Sequence, residues 1–423
     1  MLINSAWNVA GDLAPMFFAL LAIPIVIRVL GTAQYGILSL ATGVINSMAF
    51  FDLGLSLALT KFVASKVAAD RLDEIPGLFW GCLPLNLGLG LLAGAILFLF
   101  APQLVQLLNV PPSLSATACT VFRVLALMVP LLIVASALQA FIAAFQRFDL
   151  LTAVRVPAGV TVFLCPLAVL PFSHSLVAIV ILLLITRALA TLVYLVICFR
   201  LCPRLRSEPW TDRSHVRSLL AYGGWVSVTN LVVVAMLYCD RFLVSGILSI
   251  GAVAYYTTPY DTIVKLTALP GAVSRAFFPA FTEGFTLSTG HAVVLLKRGS
   301  NLILISVGPI MLVVTVLAPL GLTLWLGPVF AAKSTSVMRW LAVGVLVNAT
   351  ALMPFTLIQA AHRPDLVAKL HAIEVPFYLI GEYVFIKIWG IEGAAITWTA
   401  RVVIDTVVVW VMVGWIIPGT RAI

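Results

Sequence analysis

The chain has 423 residues, of which 62% are hydrophobic and 10% charged, against roughly 45 to 50% apolar and about 25% charged in soluble domains. No soluble fold can bury that much apolar surface. The net charge of +9 sits mostly in short joints between apolar blocks, so it is a topology signal before it is a binding signal, and no nucleic-acid partner is expected.

In chain order the apolar blocks predict spans at 5–28, 36–60, 78–101, 117–144, 150–171, 175–199, 218–247, 252–278, 299–325, 336–360, 367–388 and 392–417. Each is long enough to cross a hydrocarbon core of ~30 Å as a helix. The fold class is therefore an all-α integral membrane protein with about twelve transmembrane helices. The first block opens with Asn4, Trp7, Asn8 and Asp12 and has no basic leader, so a cleaved signal peptide is not expected. The second contains Asp52, and the joint after it, 61–77, mixes Lys61, Lys66 and Arg71 with Asp70, Asp73 and Glu74, a pattern that suits a helix lying on the membrane surface. Arg123 falls in the fourth span and Arg187 near the middle of the sixth. The stretch 200–217, basic and carrying Pro203 and Pro209, reads as a linker. Spans seven and eight hold Trp225, Asp240, Arg241, Tyr256, Tyr260, Asp261, Lys265 and Arg275; the last two hold Glu374, Glu382, Arg401 and Asp405. Six scattered cysteines predict neither a disulfide framework nor a metal site.

Short cytoplasmic loops retain positive charge during insertion. With the N-terminus inside, the even-numbered joints and the C-terminus hold Lys61, Lys66, Arg71, Arg147, Arg155, Arg200, Arg204, Arg206, Arg213, Arg217, Lys297, Arg298, Arg363, Lys369 and Arg421. The opposite joints hold only Arg28, Arg241, Lys333 and Lys387. Both termini are expected in the cytoplasm.

Three short matches recur at nearly one offset. Gly31 to Tyr35 is echoed by Gly251 to Tyr255, Arg123-Val-Leu-Ala126 by Arg339-Trp-Leu-Ala342, and Arg147-Phe-Asp-Leu150 by Arg363-Pro-Asp-Leu366. They predict duplicated halves, an N-lobe over 1–210 with spans one to six and a C-lobe over 218–423 with spans seven to twelve. Parallel repeats of this kind place two six-helix lobes about a central cavity.

Charge at membrane depth costs a few kcal/mol per side chain on insertion scales, so such residues face a polar cavity or a partner. Arg123, Arg187, Lys265, Arg275 and Arg401 form a basic set suited to a pyrophosphate, because a guanidinium binds phosphate oxygens through a fork of donors. Arg187 has no acidic residue three or four positions away and needs a partner from elsewhere. Asp261 with Lys265, and Arg401 with Asp405, are four apart and are expected to pair on one helix face as readily as to line a cavity. Arg241, at the outer end of its span, is expected to reach the interface. Trp7, Trp225, Tyr256 and Tyr260 could offer flat faces to sugar rings; interfacial packing explains them equally well.

Taken together, Val29-Leu-Gly-Thr-Ala-Gln-Tyr-Gly36, Phe51-Asp-Leu-Gly-Leu55 followed by Thr60-Lys-Phe-Val63, Leu324-Trp-Leu-Gly327 and Trp389-Gly-Ile-Glu-Gly-Ala-Ala395 resemble the polysaccharide-exporter and O-antigen flippase branch of the superfamily that also contains multidrug and toxin extruders and the lipid II flippase. The resemblance covers essentially the whole chain. It implies a bacterial inner-membrane flippase that moves an undecaprenyl-pyrophosphate-linked oligosaccharide, of O-antigen, capsule or exopolysaccharide, to the periplasmic leaflet by alternating access. It also implies membrane lipids, a polysaccharide polymerase and a chain-length regulator as partners. No cofactor is expected beyond coupling to H⁺, Na⁺ or the membrane potential, with Asp12, Asp52, Asp240, Asp261 and Glu382 as gating or coupling residues and the basic set as head-group ligands. Ala272 stands where symmetry would place a second copy of Asp52.

A cation-coupled drug or metabolite antiporter of the same superfamily is the alternative, which would call for acidic rather than basic groups at the span centres. A membrane glycosyltransferase or polymerase is less favoured: the outer joints have at most about sixteen residues, and no nucleophile constellation, nucleotide loop or metal-ligand cluster is legible. The chain is not expected to be an enzyme.

Overall fold

A computed structural model describes residues 2–47, 52–206, 236, 238–287, 289–361 and 363–416. It is all-α over these residues. The helices are α1 (Leu2–Ser47), α2 (Leu55–Ala68), α3 (Ile75–Leu107), α4 (Pro112–Ala144), α5 (Phe148–Val169), α6 (Leu176–Leu201), α7 (238–247), α8 (Ile250–Val264), α9 (Ala268–Leu287), α10 (Thr289–Leu326), α11 (Pro328–Ala360), α12 (Pro364–Trp389) and α13 (Ile391–Ile416).

Among the described residues, 8 helical stretches are long and apolar enough to cross a membrane, from Phe17–Val44 to Ile391–Trp415. Large apolar side chains such as Leu99, Ile305 and Leu324 are exposed along them, which only a hydrocarbon solvent explains on this scale. The chain is a multi-pass membrane protein. Of the other expected spans, 218–247 lies mostly outside the described residues, and 252–278 is divided between α8 and α9 by a 3₁₀ turn at Lys265–Thr267. The stretch 367–388 lies in α12, which carries Glu374, Glu382 and Lys387 and is not among those 8 stretches.

The joint expected at 29–35 is far shorter in the structure. Helical structure continues from Leu2 to Ser47 and breaks at one residue, Gly31, with φ 79° and ψ 165°. An L-residue with a side chain rarely adopts that conformation, so one glycine makes the corner. The block 36–60 is in turn divided, because Leu53 and Gly54 both have positive φ (48° and 67°) and α2 begins only at Leu55.

The chain divides into two compact units, Met1–Tyr238 and Cys239–Ile423. In the first, α4 is the central helix, with 56% of its apolar window buried, packed between α3 and α6. In the second α11 takes that place, 61% buried, packed against α10 and α13. Both central helices start with proline, run 33 residues and begin 328 − 112 = 216 positions apart. In the first unit Thr191 of α6 donates to the Leu131 carbonyl of α4 at 3.4 Å. In the second, Thr406 of α13 donates to the Val347 carbonyl of α11 at 3.5 Å. Such hydroxyl-to-backbone bonds join helices where no hydrophobic effect is available to do so.

The contact of α3 with α4 depends on a small-xxx-small pair. A Cβ on Gly90 would sit 2.7 Å from Pro130 Cα, and one on Gly94 would sit 2.6 Å from the Ala126 carbonyl oxygen. Both obstacles are backbone and cannot swing aside. Gly94→Leu is therefore expected to destabilise the first unit by about 1–3 kcal/mol or more, the usual consequence of overpacking, read as loss of monodisperse protein in detergent. Gly88→Leu, which meets nothing within 4 Å, is the control.

Candidate functional site

The second unit encloses a run of ionisable side chains. Arg241 of α7 is only 4% exposed and forms an ion pair with Asp261 of α8 through a forked pair of contacts. Its neighbour Asp240 is fully buried. Asp240 accepts the Arg241 backbone N–H at 2.7 Å and the Tyr256 hydroxyl at 2.6 Å. One turn further along α8, Tyr260 lies under the Arg241 guanidinium, 5.6 Å from ring centroid to Cζ, and meets Trp398 of α13 edge-on at 5.8 Å.

A second group lies on α12 and α13. Residues 374, 378 and 382 recur every four positions and so form one stripe of α12. Tyr378 donates to Glu382 Oε1 at 2.9 Å, Glu382 is fully buried, and its Oε2 has no hydrogen-bond partner. The Arg401 guanidinium lies 5.4 Å from the Tyr378 ring and 3.9 Å from Glu374 Oε2. Asp405 Oδ1 lies 3.6 Å from His371 Nε2.

Several sequence expectations change here. Arg241 does not reach the interface; Asp261, twenty positions on, holds it inside. Arg401 and Asp405 take partners on α12 rather than each other, since a neighbouring helix brings Glu374 and His371 to them. Tyr256 and Tyr260, considered as sugar contacts, are both buried in the second unit, and the Tyr256 hydroxyl is committed to Asp240. His371, Glu374, Tyr378 and Asp405 were not among the expected site residues. The four-residue stripe on α12 is the signal that could have found two of them, Glu374 and Tyr378.

In the first unit Asp52 acts as a cap: its carboxylate accepts the Ser56 N–H at 3.2 Å and the Ser56 hydroxyl at 2.9 Å, satisfying a free donor at the start of α2. Ser56 also meets Ser136 of α4 at 3.0 Å. Arg123 is exposed on α4, its guanidinium 5.4 Å from the Phe98 ring of α3. Arg187 is half-buried on α6, and among the described residues its guanidinium has neither an ion pair nor a hydrogen bond. Lys265 is exposed at the turn between α8 and α9. The side chains of Trp7, Asp12 and Arg275, and all of Trp225, lie outside the described residues. Of the basic set, Arg123 lies on α4 and Arg187 on the neighbouring α6, while Arg401 stands 3.9 Å from Glu374.

Over residues 1–285 the chain matches a family described as polysaccharide biosynthesis protein. It belongs to that family. A Shigella flexneri protein provisionally named an O-antigen transporter is 26% identical over 408 residues, covering 95% of each chain. The fold is also that of solved transporters at 12 to 14% identity. An inward-facing multidrug-resistance MATE transporter of the MOP superfamily superposes with a TM-score of 0.81 over 99% of this chain and 96% of that one. The lipid II flippase MurJ, inward closed, gives 0.73 over 98% and 87%. A MOP transporter from Pyrococcus furiosus, described as having a binding pocket of reversed polarity, gives 0.66 over 99% and 94%. This member of the polysaccharide biosynthesis family therefore shares the fold of those solved proteins, and its buried ionisable groups sit on helices of that fold.

Proposed function

We propose that this protein is a flippase that carries an undecaprenyl-pyrophosphate-linked oligosaccharide from the cytoplasmic to the periplasmic leaflet of a bacterial inner membrane, with both termini cytoplasmic. Family membership supports the polysaccharide assignment, and the relative named for O-antigen transport supports the cargo. The observation within the chain that carries the reading is Arg187: a guanidinium inside a membrane helix, without a protein partner among the described residues, is placed to receive an anion. A diphosphate is a strong match, since its oxygens accept a forked pair of hydrogen bonds and arginine keeps its charge when buried.

The equal spacing of α4 and α11 and the paired threonine bonds support reading the chain as a duplicated six-helix unit, as alternating access by rocking lobes requires. The buried carboxylates of the second unit favour one alternative, a cation-coupled antiporter for drugs or metabolites. Deleting the gene in its host separates the two. The flippase reading expects lipid-linked oligosaccharide to accumulate, by lipid extraction and mass analysis, while surface glycan is lost, both reversed by the intact gene. Unchanged glycans with altered drug sensitivity would overturn it.

A further inference from the structure

The head-group reading uses Arg187 and leaves unexplained the meeting of α12 with α13. There His371 Nε2 and one carboxylate oxygen each of Glu374 and Asp405 lie within 4.8 Å of one another. Glu374 and Asp405 are more than nine-tenths buried, at 9% and 8% exposure. Neither Glu374 oxygen has a hydrogen-bond partner, nor does Asp405 Oδ1. The nearest groups stand off at 3.6 Å (His371 Nε2 to Asp405) and 3.9 Å (Arg401 to Glu374), beyond hydrogen-bond range. Phe355 of α11 lies nearly parallel to the His371 imidazole, with ring centroids 6.4 Å apart.

Buried polar atoms are nearly always satisfied, and here three oxygens and an imidazole nitrogen converge without bonding one another. Two ligands bound at ~2.0–2.2 Å to a common ion lie about that standoff apart, so a small contraction would close them on a cation. Charge points the same way, because two carboxylates against one guanidinium leave a net negative charge in an apolar setting. The imidazole narrows the choice. Na⁺, Mg²⁺ and Ca²⁺ favour oxygen ligands, whereas a mixed imidazole and carboxylate set suits first-row divalent transition ions.

We propose that His371, Glu374 and Asp405 form a binding site for one divalent transition-metal ion, of the Zn²⁺ or Mn²⁺ class. The ion competes with Arg401 for Glu374, and Arg401 retreats onto the Tyr378 ring it already faces.

The test uses the full-length chain in detergent, with any polyhistidine tag removed, stripped with chelator, exposed to Zn²⁺ or Mn²⁺ alone, desalted and assayed for metal per protein. Wild type is expected to retain about one equivalent and to gain thermal stability by mass action. His371→Ala, Glu374→Gln and Asp405→Asn should each weaken retention at least about tenfold, as loss of a ligand does. Arg401→Gln should tighten it by removing the competitor. His371 is only half-buried, so its variant keeps the test readable if a carboxylate variant fails to fold. Co²⁺ absorption bands lost in His371→Ala would identify the imidazole as a ligand. Metal retention unchanged in well-folded variants would overturn the proposal. So would absence of retained metal in wild type together with a melting temperature that varies with pH through these residues, which would make the cluster a proton site.

Discussion

Replacing Arg187 with alanine is expected to abolish surface glycan and leave lipid-linked oligosaccharide behind, with protein amount and detergent behaviour unchanged. Both halves of that expectation come from the same observation. Among the described residues no acid or hydrogen-bond acceptor holds this guanidinium, so its removal leaves no protein carboxylate stranded and the fold keeps its stability. Removal takes from the cargo a charge-assisted contact of about 1.5–3 kcal/mol, or roughly 10- to 150-fold in affinity. Lysine at this position should rescue only part of transport, because an ammonium retains the charge but not the fork of donors. Quantifying surface glycan and lipid-linked intermediate in a deletion strain carrying each variant checks both points. A fully active Arg187→Ala protein would remove Arg187 from the cargo path.

How much of this could be read in the sequence depends on the range of the interaction concerned. Helical class and membrane character follow from composition and block length, which are local. The Gly90-Leu-Leu-Ala-Gly94 contact surface on α3 is not among the sequence expectations; the structure reveals it by supplying its partners at Ala126 and Pro130. The joint after the first span is shorter than its polarity predicts, since the segment around Gly31 resembles a loop while one positive φ suffices to turn the chain. Partners of buried charges were the least legible. Helix spacing suggested Arg401 with Asp405, a rule that holds for isolated helices; packing of α12 on α13 supplies different partners. Asp52 reads in the sequence as an acid within a span, and in the structure its carboxylate accepts bonds from Ser56 in the first turn of α2, a contact that depends on the break at Leu53 and Gly54. For Arg187, no acid lies one turn away on its own helix, and among the described residues none forms an ion pair with it.

Arg241→Gln should have the opposite profile to Arg187→Ala, namely loss of folded protein before any transport defect can be measured. Arg241 is the counter-charge to Asp261, and it lies beside the fully buried Asp240, with the buried carboxylate of Glu382 in the same unit. Neutralising it leaves the fully buried Asp240 with only the Tyr256 hydroxyl and a backbone N–H, while Asp261, whose side chain is 37% exposed, turns to solvent. The cost is therefore below the about 3–5 kcal/mol of removing one partner of a wholly buried pair and still a sizeable part of a typical domain's stability. The companion substitution separates charge imbalance from lost packing. In Arg241→Gln with Asp261→Asn one stranded charge is gone, and Asp240 still has the Tyr256 hydroxyl and a backbone N–H. The double variant is therefore expected to recover much of the monodisperse detergent-solubilised yield that the single variant loses, in a size-exclusion assay of membranes from matched cultures. Equal loss in both would assign the effect to the guanidinium's packing over Tyr260. Wild-type yield from the single variant would mean that water reaches Asp240 and Asp261 and that the network does not hold the second unit together.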